Sequence, residues 1–156
     1  MVTDGISGQF VTVQSGDAIP LEPPPQGGYV VYAALKAKNF RPCKVLIEGR
    51  LRDLSSGAEL GYEGRTTNFI ATTDGWAEPE LSDNSQVANV GVCPDEKTVD
   101  LQGQPALLEM TLTDCTAHRA VFTTMVVPTC GAGGTHDNCV CTCSTGYQPG
   151  KCPAGF

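Results

Sequence analysis

The chain has 156 residues, of which 40% are hydrophobic, 17% charged and 6% aromatic, and its formal charge is −7. That length suits one compact domain with a short appendage, and it is enough to bury a core. There is no run of about 18 apolar residues to cross a bilayer, and so acidic a chain (pI ≈ 4.6) lacks the basic patches that nucleic acid or anionic lipid requires.

Taken in chain order, the first residues have neither the basic start nor the apolar stretch of a signal peptide. Gln9–Gln14 alternates and reads as a short strand. Residues 15–28 carry four prolines and three glycines, which reads as loop, because proline cannot donate to a ladder. Tyr29–Phe40 is the longest strand candidate; its β-branched and aromatic start outweighs a helix reading over Ala33–Lys38. Lys44–Asp53 places Val45, Ile47 and Leu51 on one face and Lys44, Glu48, Arg50 and Arg52 on the other. After a turn at Leu54–Gly57, Ala58–Tyr62 reads as a short edge strand and Arg65–Thr72 as another strand. Residues 73–84 read as loop and hold Trp76. Gln86–Val92 is a further strand, followed by a polar stretch over 94–105. Leu107–Asp114 and Ala120–Pro128 pair as a hairpin across Cys115–Arg119. No helix longer than two turns is supported. Some seven to eight short strands at intervals of about 8–12 residues predict an all-β, antiparallel sandwich, with a sandwich domain over 1–130 and a cysteine-rich tail over 131–156.

The hairpin segment LLEMTLTDCTAHRAVFTTMVV, Leu107–Val127, is similar to the last hairpin of immunoglobulin-like domains of the PKD and bacterial Ig type. Thr113-Asp114 stands where that family places its T-D, whereas Cys115 and His118 replace its small turn residues. The resemblance implies an immunoglobulin-like sandwich. In the tail, Cys141-Thr-Cys143 followed by Gly146-Tyr147 and then Cys152 resembles the second half of an EGF-like module, C-x-C-x-x-G-[aromatic]-x(4 or more)-C. The upstream half departs from that family, since only Cys130 and Cys139 precede it, and its calcium-site residues have no match here.

Eight cysteines in a small acidic chain are the usage of an oxidising compartment. The expected location is therefore secreted, periplasmic or cell surface, with an export signal removed ahead of residue 1 and Met1 added for expression. No N-x-[ST] acceptor is present. The immunoglobulin-like topology implies Cys43–Cys115 at one end of the sandwich and Cys93–Cys130 at the other. Cys139, Cys141, Cys143 and Cys152 would then pair among themselves. A competing reading gives Cys139, Cys141, Cys143 and His136 to a soft metal such as Zn²⁺ or Cu⁺. That reading needs a reducing compartment and lacks the C-x(2–4)-C pairs that zinc sites prefer.

Asp74, Glu78, Glu80 and Asp83 fall within one loop and are candidate calcium ligands, although their spacing is not that of an EF-hand. No other cofactor is expected. Trp76, beside Gly75 and Pro79, is a candidate anchor for an extracellular protein or glycan, because aromatics are enriched at binding hot spots. A catalytic role would need His118 as base with a nucleophile and an orienting acid, and no nucleophile elbow occurs. Nor do the scattered acids suggest a glycosidase pair. The sequence therefore reads as a non-catalytic secreted or cell-surface module for adhesion, support or partner binding. The alternatives are a metal-binding protein using the C-x-C-x-C tail, or a small secreted enzyme or inhibitor. It does not set the oligomeric state.

Overall fold

The computed structural model describes residues 1–3, 9–39, 43–94, 100–131 and 135–153. Its strands are β1 Val2–Thr3, β2 Phe10–Val11, β3 Asp17–Leu21, β4 Tyr29–Ala33, β5 Lys44–Asp53, β6 Glu59–Ala71, β7 Ala77–Pro79, β8 Ala88–Cys93, β9 Ala106–Thr113 and β10 Arg119–Cys130. Among the described residues, a 3₁₀ turn, Asn84–Gln86, precedes β8, and a short helix, α1 His136–Thr142, follows β10. The strands form a four-stranded sheet, β2-β1-β4-β8, and a six-stranded sheet, β3-β10-β9-β5-β6-β7. The protein is an all-β sandwich with a disulfide-rich tail.

The alternation of β5 explains how the two sheets meet. Val45, Ile47 and Leu51 are fully buried and share a core with Leu108, Met110 and Leu112 of β9, Val126 of β10, and Val31 and Val90 of the facing sheet. Gly49 lies on the same inward face. A Cβ there would stand 2.6 Å from Val90 Cγ2, so β5 lies too close to β8 of the facing sheet at this point to admit a side chain. β4 is buried along its whole length. Its other face, through Val30, Tyr32 and Ala34, packs with Val87 beneath Phe10 and Leu81. The outward face of the six-stranded sheet carries Leu46, Tyr62, Ile70 and Val121, each exposed.

Several expectations change. Residues 15–28 contain β3, which pairs with the end of β10 in parallel, Asp17 opposite Val126 through Leu21 opposite Cys130. The sandwich is therefore not wholly antiparallel. Pro20 is tolerated because β3 is an edge strand of its sheet. The two strands expected over 58–72 are one, since β5 keeps pairing through the expected gap, Gly49 with Glu63 and Glu48 with Gly64. The loop over 73–84 contains β7, also at an edge and ending on Pro79. The strand expected over Tyr29–Phe40 stops at Ala33, and Phe40 lies outside the described residues. The expected hairpin of β9 and β10 forms, with Thr113 opposite Arg119.

Candidate functional site

The tail departs from the EGF-like pattern at its first motif. Cys139, Cys141 and Cys143 would share one face of a strand, but residues 136–142 form α1. On a helix each residue turns about 100°, so Cys139 and Cys143, one turn apart, face the same way while Cys141 points roughly 200° round from Cys139. The bridges follow that geometry. Cys143 bonds Cys93 at the end of β8, and Cys139 bonds Cys130 at the end of β10. Cys141 turns the other way and bonds Cys152. Cys43 bonds Cys115 across 72 residues, with Cα atoms 6.3 Å apart.

The implied Cys93–Cys130 bridge is thus not formed, and the last four cysteines do not pair only with one another. Topology does bring Cys93 and Cys130 to one end of the sandwich, but α1 docks between them and supplies a partner to each. The sulfurs of Cys130, Cys139 and Cys143 are buried and lie within 4.8 Å of one another. The soft-metal set expected from spacing is not assembled. Cys141 is tied to Cys152, and His136 Nδ1 sits 3.1 Å from the Gly131 carbonyl oxygen. All eight cysteines are in bridges, so a metal could enter the sulfur cluster only after reduction.

The docked helix also closes a cleft of about 500 Å³ against the loop that precedes β4. Gln26, Tyr29, Pro94, Asn138, Tyr147 and Pro149 are among the residues that line it, and none of its lining among the described residues is charged. Asn138 Nδ2 donates to Tyr29 Oη at 2.9 Å, which fixes α1 to the start of β4. A second opening, of about 620 Å³, contains Asp53, Asp100 and Gln104. Asp53 accepts from Ser55 Oγ at 2.6 Å and from Ser56 N and Oγ at 2.7 and 2.6 Å, and these bonds hold its carboxyl down at about 2. Asp100 accepts from Thr145 N at 2.6 Å.

The four acids of the 73–84 segment are not gathered into one site. Asp74 accepts from the Thr72 hydroxyl, Glu78 faces Lys36 Nζ at 3.2 Å, Glu80 accepts from Ser82 Oγ at 3.1 Å, and Asp83 caps the 3₁₀ turn through Ser85 N at 2.8 Å. Among the described residues, the only three His, Cys, Asp or Glu groups that converge are the three cysteines above. Trp76 is half-buried, with Lys38 Nζ 4.8 Å above its ring, so one face of the candidate anchor already holds a cation.

His118 lies in the β9–β10 turn with its side chain 77% exposed and its Nδ1 3.4 Å from Asp114 Oδ2. Thr116 Oγ1 donates to Asp114 Oδ1 at 2.7 Å and approaches His118 Nδ1 at 3.1 Å. Burial pushes the Asp114 carboxyl up, but bonds from the Thr116 hydroxyl and the His118 and Thr116 amides outweigh it, and the net shift is downward. The Asp–His arrangement is therefore a turn network in which the Thr116 hydroxyl donates its hydrogen bond to the carboxylate. The sequence signal that would have found the real junction is the four-residue spacing of Cys139 and Cys143, which is a helical period.

No family model matches the chain, and no curated protein matches it. Among solved structures, the crystal structure of CopC from Methylosinus trichosporium OB3b is similar at 10% identity over 81% of this chain and 98% of that one, with a TM-score of 0.37. A likeness of that size establishes no common fold, and nothing is carried from it to this protein.

Proposed function

We propose that the chain is a non-catalytic, immunoglobulin-like module of an extracytoplasmic compartment, where it offers a rigid surface for adhesion, support or recognition of a protein or glycan. One observation carries the reading: all eight cysteines are in bridges, and two of those bridges clamp α1 across the end of the sandwich. Persistent bridges belong to oxidising compartments. Because the clamp is covalent, the cleft beneath α1 is held ready for a ligand, and less ordering entropy is lost on binding. Its tyrosines, amides and prolines suit a neutral ligand such as a saccharide or an extended peptide.

The sulfur cluster favours a second reading, in which the protein is exported or held reduced and Cys130, Cys139 and Cys143, with Cys93 beside them, hold a thiophilic cation. An intact mass of the natively produced protein separates the two. The first reading expects a mass eight hydrogens below that of the all-thiol chain, two per bridge, and no thiol reactivity. Free thiols that become reactive only on chelation would replace it with the second. A panel of ester, glycoside and peptide substrates tests the non-catalytic part: turnover abolished by His118→Ala would make the protein an enzyme.

A further inference from the structure

β10 is twelve residues long, but its two halves have different surroundings. From Val126 to Cys130 it lies between β9 and β3. From Arg119 to Thr124 it pairs with β9 alone, and among the described residues no strand covers its other side. β3 turns away just before this stretch, at Gly16, whose N–H donates to the Met125 carbonyl at 2.8 Å. That bond shows which way the main chain points. The N–H and C=O of one residue in an antiparallel strand face the same side, and the side alternates along the strand. Met125 faces the open edge, so Thr123 and Val121 do too, while Thr124 and Phe122 face β9.

The side chains on this edge are unusual for one left open. Natural edges carry lysine, proline, inward charges or bulges that stop another strand from pairing. Here no charged residue stands between Arg119 and Cys130, and the first proline is Pro128. Val121 and Phe122 are 52% and 44% exposed. A strand is the complement of such an edge, and the charges indicate which strand. The edge has no acid to attract a basic peptide and only Arg119 to attract an acidic one, so a neutral β-branched segment fits best, and the segment itself is one.

We propose that a second copy of this chain adds to the open half of β10, antiparallel and about a twofold axis at Phe122. This register sets Val121 opposite Thr123 of the second copy as the hydrogen-bonded pair, using the outward-facing groups on both chains. Phe122 meets its own counterpart and Ala120 faces Thr124; the pairing stops short of Met125, whose carbonyl Gly16 already holds, and no like charges oppose one another. The two six-stranded sheets become one sheet of twelve. The contact is isologous and closes as a dimer. With −7 on each chain, the copies repel at a distance, so added salt strengthens the dimer.

Sedimentation of the oxidised full-length chain from micromolar to millimolar concentration tests this, together with residue-resolved amide exchange. The expected result is a concentration-dependent dimer in which the Val121 and Thr123 amides become at least tenfold slower to exchange while that of Phe122, already paired with β9, changes little. Val121→Lys and Phe122→Glu each leave a folded monomer, whereas Ile70→Lys, which replaces an apolar residue of similar exposure on β6, leaves the dimer unchanged. A chain that stays monomeric throughout overturns the proposal. So does a dimer that survives both edge substitutions, or one in which Val121 and Thr123 gain no protection. Capture of a neutral extended peptide by a chain that remains monomeric would give the edge a different occupant and would also overturn it.

Discussion

At two glycines the facing sheets leave no room for a side chain. A Cβ on Gly49 would press on Val90 and Ala88, and one on Gly61 would come within 2.2 Å of the Gly91 carbonyl oxygen. Gly49→Ala should cost about 1–3 kcal/mol, the usual range for overpacking. Gly61→Ala should cost at least as much, because backbone cannot rotate away as a side chain can. Urea unfolding checks both, and a substitution that leaves the midpoint unchanged would show that the layers can part there. Asp53 makes a prediction about acid. Its carboxyl titrates near 2 in the folded chain because Ser55 and Ser56 hydrogen-bond to its charged form, against about 3.9 when unfolded. A depressed folded value means that the stabilisation is fully present above about pH 4 and is lost as pH falls toward 2. The Ser56 amide shift should follow that titration, and Asp53→Asn should flatten the fall in melting temperature over the same window.

At the scale of elements, alternation made β5 and the β9–β10 hairpin legible, because one face of each meets the core while the other meets water. β3 and β7 were not legible. They are short and contain Pro20 and Pro79; β3 owes its pairing to a neighbour distant in sequence, Val126–Cys130, while β7 pairs with only three residues, Phe69–Ala71, at the end of β6. Local pattern also misread α1. C-x-C-x-C fits a period of two, yet the same cysteines satisfy a helical period through Cys139 and Cys143, and tertiary docking decides between them. The four acids of the 73–84 segment and Trp76 were legible as residue types, but which neighbour each one meets was not. If docking is what holds α1, Cys93→Ala with Cys143→Ala should loosen the helix while leaving the sheets intact. Proteolysis at residues 144–153 would then accelerate, with near-unchanged exchange of the Ile47 and Leu112 amides.

At the scale of the molecule, the bridges divide by span. Cys43–Cys115 and Cys93–Cys143 close 72 and 50 residues, and Cys130–Cys139 and Cys141–Cys152 close 9 and 11. Loop-closure entropy assigns about 4 kcal/mol to each long bridge and about 3 kcal/mol to each short one. Replacing both cysteines of Cys43–Cys115 by alanine should therefore lower stability more than the same change at Cys141–Cys152, as judged by denaturant midpoints under non-reducing conditions. Equal losses would mean that the long bridge acts on a denatured state that is already compact.

The two cysteines on the inner face of α1 reach strands of different layers, β8 of the four-stranded sheet and β10 of the six-stranded one. Mechanical load applied at the carboxyl end therefore cannot peel one strand at a time. It divides between both layers at once, and sliding them apart means breaking a covalent bond.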